Sequence, residues 1–229
     1  MSNPGSISRP AKPVRRARKS SRPPRRTQAD RREAAEQRLL DAAIKLIAER
    51  GIKGTTLGDV GEAAGYSRGL TAHHYKTKEG LIKAVAAEIH RRFYRALTSA
   101  ERPSEGLARL LGAVDVYLSV NDLPAARALL LIQKEALTQQ PEFRGVLRKF
   151  NRLSVDGIAR QIRAGITKGE IRPDLNVLAE ATLLLAALRG ARAQWLLASK
   201  DFDIRRVVDQ LKTHLQRSLA HEGVTAIQP

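Results

Sequence analysis

One stretch constrains this chain more than any other: TTLGDVGEAAGYSRGLTAHHYKTK, from Thr55 to Lys78. Leu57, Val60, Ala63 and Ala64 recur at helical spacing and give a short helix one apolar face. Thr56 and Asp59 form a T-x-x-D capping box at its start. Gly65 follows the last apolar position, where a left-handed residue ends a helix without a Cβ clash. Ser67 then caps a second helix, from Arg68 to about Tyr75. Two helices across a Gly-containing turn make either an ordinary αα-hairpin or a helix-turn-helix, whose second helix enters the DNA major groove. This spacing alone does not choose between the two.

The flanking segments favour the helix-turn-helix. From Arg32 to about Phe93 the chain resembles the DNA-binding module of the TetR family of bacterial regulators. The matching pieces are a long helix ending AERG (Ala48 to Gly51), then TTLGDVGEAAGYSRG (Thr55 to Gly69), then HHYKTKEGL (His73 to Leu81) and a long following helix. Their order and spacing carry the likeness, over about a quarter of the chain. The resemblance implies an all-α fold of about nine helices: an N-terminal three-helix module, then a helical ligand-binding and dimerisation domain. The corresponding boundaries are a basic tail over 1–29, the DNA-binding domain over 30–93 (motif about 56–75) and the C-terminal domain over 94–229.

Arg68 stands at the start of the second helix, where recognition helices touch base edges, and its fork fits guanine O6 and N7. Gly69 removes bulk and permits close approach. Leu70 suits a thymine methyl or the core, and Thr71 offers a hydroxyl or packs inward with its methyl. The resemblance places His73, His74 and Lys78 against the phosphate backbone. Thr77 and Lys78 also open the next helix, whose N-terminus favours anions. With Thr56 and Ser67, these residues make the expected DNA-contact set. Two positions depart from the family pattern: Ala72 replaces the usual aromatic, and Thr71 stands at an apolar position. Adjacent helical residues point about 100° apart, so His73 and His74 do not form a metal pair. No metal or cofactor is expected.

Helix 1 reads from about Asp30, with Asp30 as its cap, to Arg50. It carries Leu40, Ala43, Ile44 and Ile47 on one face. The charge is unevenly spread. Net charge is +18, and residues 1–29 hold nine Lys or Arg, no acid and five of the ten prolines. Such a tail does not fold on its own. It reads as an arm to DNA phosphates or the minor groove, or as a solubilising leader. No apolar run reaches the ~18 residues of a membrane span. Cysteine is absent, so no disulfide or thiol chemistry is available. The expected location is the cytoplasm, on the nucleoid when DNA-bound.

Helix 4 runs from near Lys78 to about Ala100, and three more follow: Ser104 to Val120, Pro124 to about Thr138, and Pro141 to about Lys168. Core candidates in the last are Phe143, Val146, Leu147, Phe150, Leu153, Ile158 and Ile162. The resemblance implies that these helices enclose an effector cavity. Tyr117, Gln133, Asn151 and Trp195 are candidates for its lining, each with the alternative of a surface polar group or a core aromatic. The scarcity of aromatics, 4% of residues, speaks against an aromatic-walled pocket.

Residues Leu178 to Leu197 are apolar nearly all round, with Leu184, Leu188, Ala191 and Trp195 in phase, and Gly190 permits close helix approach. After Asp203, Ile204, Val208, Leu211 and Leu215 form a second stripe. These two helices read as a homodimer interface of four-helix type, or as an intramolecular core. A dimer sets two recognition helices about 34 Å apart on a palindrome.

The sequence holds no G-x-S-x-G, phosphate-binding Gly loop, H-E-x-x-H or placeable carboxylate constellation, so no enzymatic role is expected. The reading is a dimeric repressor on a palindromic operator in double-stranded DNA, released by a small-molecule effector. The alternatives are an activator of the same family and a sequence-tolerant architectural DNA-binding protein.

Overall fold

Helix capping chemistry and apolar stripes account for most of the element boundaries. The computed structural model describes residues 27–99, 104–119, 122–138, 141–198 and 200–220. The basic tail up to residue 26, and Pro103 and Val120 near the ends of the fifth helix, lie outside them. The elements are α1 (Gln28–Arg50), α2 (Leu57–Ala63), α3 (Arg68–Tyr75), α4 (Lys78–Thr98), α5 (Leu107–Leu118) and α6 (Leu123–Thr138). A 3-10 turn (Pro141–Phe143) then leads into α7 (Arg144–Thr167), α8 (Val177–Leu197) and α9 (Ile204–Leu219). Among the described residues the fold is all-α, with one isolated bridge between Ile171 and Ala220.

α1 begins earlier than expected. Thr27, not Asp30, is its N-cap: Thr27 Oγ1 accepts from Asp30 N–H at 3.1 Å and Asp30 Oδ2 accepts from Thr27 N–H at 2.8 Å. The same reciprocal pair, Thr56 and Asp59, starts α2 as expected. Asp203 caps α9 by accepting from the Arg205 and Arg206 N–H groups.

Two apolar cores result. The first joins α1, α2 and α4 to α6 through Leu39, Ile44, Ile47, Val60, Leu81 and Ile132, with Phe143 sealing one end. The sixth helix therefore packs into the same core as the N-terminal module. The second core draws on α5, α7, α8 and α9. Within α7, Ile162 is buried as expected, whereas Leu153 is exposed and Val155 and Ala159 are buried in its place. The Gly169–Asp174 turn closes this core. Glu170 Oε2 accepts from Leu107 N–H at 2.8 Å, capping α5, while Arg172 N–H donates to Leu219 O at 3.0 Å.

The stripe assigned to the dimer interface faces inward. Leu184, Leu188, Trp195 and Leu215 are buried within the chain, and Ala191, Ile204, Val208 and Leu211 pack against the same core. α8 is apolar on both sides, so periodicity alone did not distinguish its inner face from its outer one.

Candidate nucleic-acid interface and effector cavity

α2 and α3 meet at Gly61. A Cβ there would lie 2.8 Å from Ser67 O and 2.9 Å from Thr71 Oγ1, so only glycine permits this approach. Thr71 is fully buried at the contact, and its hydroxyl has no hydrogen-bond partner. Of its two expected roles it therefore takes the packing one and leaves the DNA-facing set. Its neighbours turn outward: Ser67, Arg68, Gly69, Ala72 and His73 are exposed, and Leu70 and His74 are half-buried. Ser67 occupies the N-cap position without a side-chain cap bond. Arg68 is 79% exposed and rests 3.3 Å from Glu62 on α2. An ion pair that open to water is weak, and the guanidinium is available to a base edge.

The connection from α3 to α4 is only Lys76 and Thr77. Lys76 sits at φ 57, in the left-handed region, and donates its N–H to Ala72 O at 2.9 Å. A Cβ on Gly80 would fall 2.5 Å from Tyr75 O, so the first turn of α4 is seated directly on the end of α3. Lys78 Nζ reaches Lys53 O at 3.4 Å and ties that turn back to the loop after α1. Tyr75 packs on the first core, its hydroxyl buried without a partner, and burial pushes the phenol well above its ordinary range. α4 and α3 are thus in direct contact at this junction.

Further along α4 lies a charged hub. Glu88 is fully buried, bonded to Arg92 at 2.8 Å and Gln37 at 3.2 Å, and paired with Arg91 and Arg95. Burial pushes its carboxyl up, but the hydrogen bonds from Arg92 and Gln37 outweigh it and hold the group below the usual carboxylate range. Arg92 also pairs with Asp41 on α1 and lies 3.6 Å from Asp122, just before α6. One side chain therefore links α1, α4 and α6.

Arg92 is also part of the wall of a cavity of about 480 Å³. α4 contributes Ile89, His90 and Phe93; α5 contributes Tyr117; α6 Leu129 and Gln133; α7 Phe150; and α8 Arg189 and Arg192. Of the four expected lining residues, Tyr117 and Gln133 are present. Asn151 lies outside and accepts from Arg189 at 2.6 Å, while Trp195 is buried away from the cavity wall. The sequence reading missed α4 as a wall and, on α8, named Trp195 instead of Arg189 and Arg192, because these helices were assigned to linkage and assembly. It also underestimated the aromatic share. His90 stacks on Phe150 at 4.5 Å, and Phe93 meets Tyr117 edge-on at 4.9 Å. Burial, aided by Arg189, holds His90 below its ordinary value. Among the described residues no cluster of His, Cys, Asp or Glu is placed to hold a metal.

A helix-turn-helix with an open second helix, joined by two residues to the wall of a cavity, defines a DNA-binding regulator. Comparisons with known proteins agree. Residues 39–85 match the family model of bacterial regulatory proteins of the tetR family. Residues 103–220, more than half of the chain, match the C-terminal domain of BetI-type transcriptional repressors. The chain belongs to the TetR family of helix-turn-helix transcriptional regulators.

Among its relatives is the HTH-type transcriptional regulator UidR of Escherichia coli K12, 28% identical over 158 residues that span 68% of this chain and 79% of UidR. The transcriptional repressor AcnR of Corynebacterium diphtheriae is 26% identical, covering 84% of this chain and 93% of its own. A putative transcriptional regulator from Saccharomonospora viridis, solved in complex with choline, shares the fold at TM-score 0.73 and 21% identity, covering 83% of this chain and 100% of its own. Among the described residues no helix is long and apolar enough to cross a membrane.

Proposed function

We propose that this regulator is a homodimeric repressor that binds a palindromic operator through α3 and leaves it when a small molecule fills the cavity. The observation that carries this reading is the double role of α4. Its first turn is seated on the end of α3, and its middle walls the cavity. An effector that fits only one position of α4 shifts the population toward that position, and the spacing of two recognition helices moves with it.

The operator contacts are Arg68 for base reading, Gly69 and Leu70 for close approach, and Thr56, Ser67, His73, His74 and Lys78 for the backbone. Lys76, exposed at the end of α3, adds a cation beyond the expected set. Tail residues up to 26 supply a sequence-independent, salt-sensitive share of the affinity. The second copy covers the outer face of α8, where Leu178, Leu183 and Leu197 are 56%, 65% and 83% exposed. Gly190 lies on that face with open space around it. A continuous apolar helix face of this kind calls for a partner, and a symmetric copy supplies the same face. The protein works in the cytoplasm and performs no catalysis.

The test is stoichiometry and release on DNA selected from genomic fragments. Sedimentation should give two chains per site on a sequence with two-fold symmetry. One chain per site on an asymmetric sequence would contradict the proposal.

A further inference from the structure

The cavity carries an unbalanced charge. Its two acids are already engaged: Asp115 accepts from Lys212 at 3.0 Å, and Asp122 accepts from Ala125 N–H at 3.1 Å and lies near Arg92. Arg92 in turn is paired with Glu88 and Asp41. Arg189 and Arg192 remain. They stand three apart on α8 and so share one face. Neither has a carboxylate within ion-pair distance among the described residues. Arg189 donates to the neutral Asn151 amide oxygen at 2.6 Å. Arg192 donates to Ser119 O at 3.3 Å, lies 5.4 Å over the Tyr117 ring, and keeps a buried Nε with no partner.

Around them the wall is apolar: Ile89, Phe93, Leu129, Phe150, Leu185 and Leu196. A desolvated guanidinium with an unused donor is costly unless a ligand supplies the acceptor. Its planar fork matches a carboxylate. A cationic ligand would meet two guanidinium groups without a paired carboxylate and only acids that already have partners.

We infer that the effector is an organic acid: a carboxylate held between Arg189 and Arg192, with an apolar body lying against Phe93 and Phe150. Resting on the effector reading above, this names the chemical class the cavity takes.

Three probes of equal chain length test it: octanoate, octanol and octyltrimethylammonium, each added to the full-length protein. Thermal unfolding and calorimetry read binding, and release of DNA is read separately. Octanoate at about 1 mM should raise Tm by several degrees, and the other two should not. Arg192→Gln and Arg189→Gln should each weaken octanoate binding by at least about tenfold, with unchanged helicity. Equal or greater stabilisation by octanol or octyltrimethylammonium overturns the inference, as does octanoate binding that both variants retain in full. Absence of any octanoate binding counts against it as well. If octanoate binds as described but DNA stays bound, the acid site stands and the release mechanism fails.

Discussion

Arg92 donates to Glu88 at 2.8 Å, one turn apart on α4, and Glu88 is the only fully buried carboxylate among the described residues. Removing the carboxylate leaves Arg92 with Asp41 and the more distant Asp122. Full loss of a buried pair costs ~3–5 kcal/mol, and the surviving partners reduce this. Glu88→Ala should therefore lower stability by about 2–3 kcal/mol in urea unfolding.

The same carboxylate sets a pH dependence. Its folded value lies below the unfolded value of about 4.3. Its contribution is present above that value and disappears as the pH falls through the lower, folded one. Glu88→Gln should flatten the acid limb of the stability curve. A limb as steep as in the parent protein would place the effect on other groups.

Thr71 gives a prediction of opposite sign. Its hydroxyl is buried without a partner at the contact between α2 and α3. Thr71→Val keeps the shape and removes the orphaned group. It should stabilise the protein by about 1 kcal/mol and leave DNA affinity unchanged. A loss of affinity would mean that the hydroxyl reaches DNA after all.

Leu183 and Leu184 are adjacent on α8, but Leu183 is exposed and Leu184 is buried. Leu183→Glu puts a charge on the outer face of α8 and should give a folded monomer by sedimentation, with operator affinity much reduced. Leu184→Glu puts it in the core and should prevent folding. A dimeric Leu183→Glu protein would move the interface elsewhere.

Deleting residues 1–26 removes nine cations and leaves the Thr27 cap of α1 in place. It should weaken binding to all duplexes and flatten the salt dependence in anisotropy titrations. An unchanged slope would make the segment a leader.

Local chemistry was the most legible part of the chain. The Thr56–Asp59 box and the Gly65 stop located α2 and α3 because each depends on residues a few positions apart. The Thr27–Asp30 box at α1 has the same signature and was passed over in favour of Asp30. What sequence did not reveal depends on tertiary packing. α8 is apolar nearly all round, so which face meets α5 and α7 is decided by the rest of the fold. The cavity lining, drawn from helices far apart in sequence, has no local signature. His90, Phe93, Arg189 and Arg192 read individually as ordinary helix residues.

The most direct test is fluorescence anisotropy with DNA from the gene's own upstream region against a shuffled duplex, at two salt concentrations, for the parent protein and Arg68→Ala. The account predicts a preference of ~10³ or more that survives the higher salt. It also predicts that Arg68→Ala loses this preference with its helicity intact. Equal binding to both duplexes that vanishes with salt, or a preference that Arg68→Ala retains, would contradict operator reading by α3.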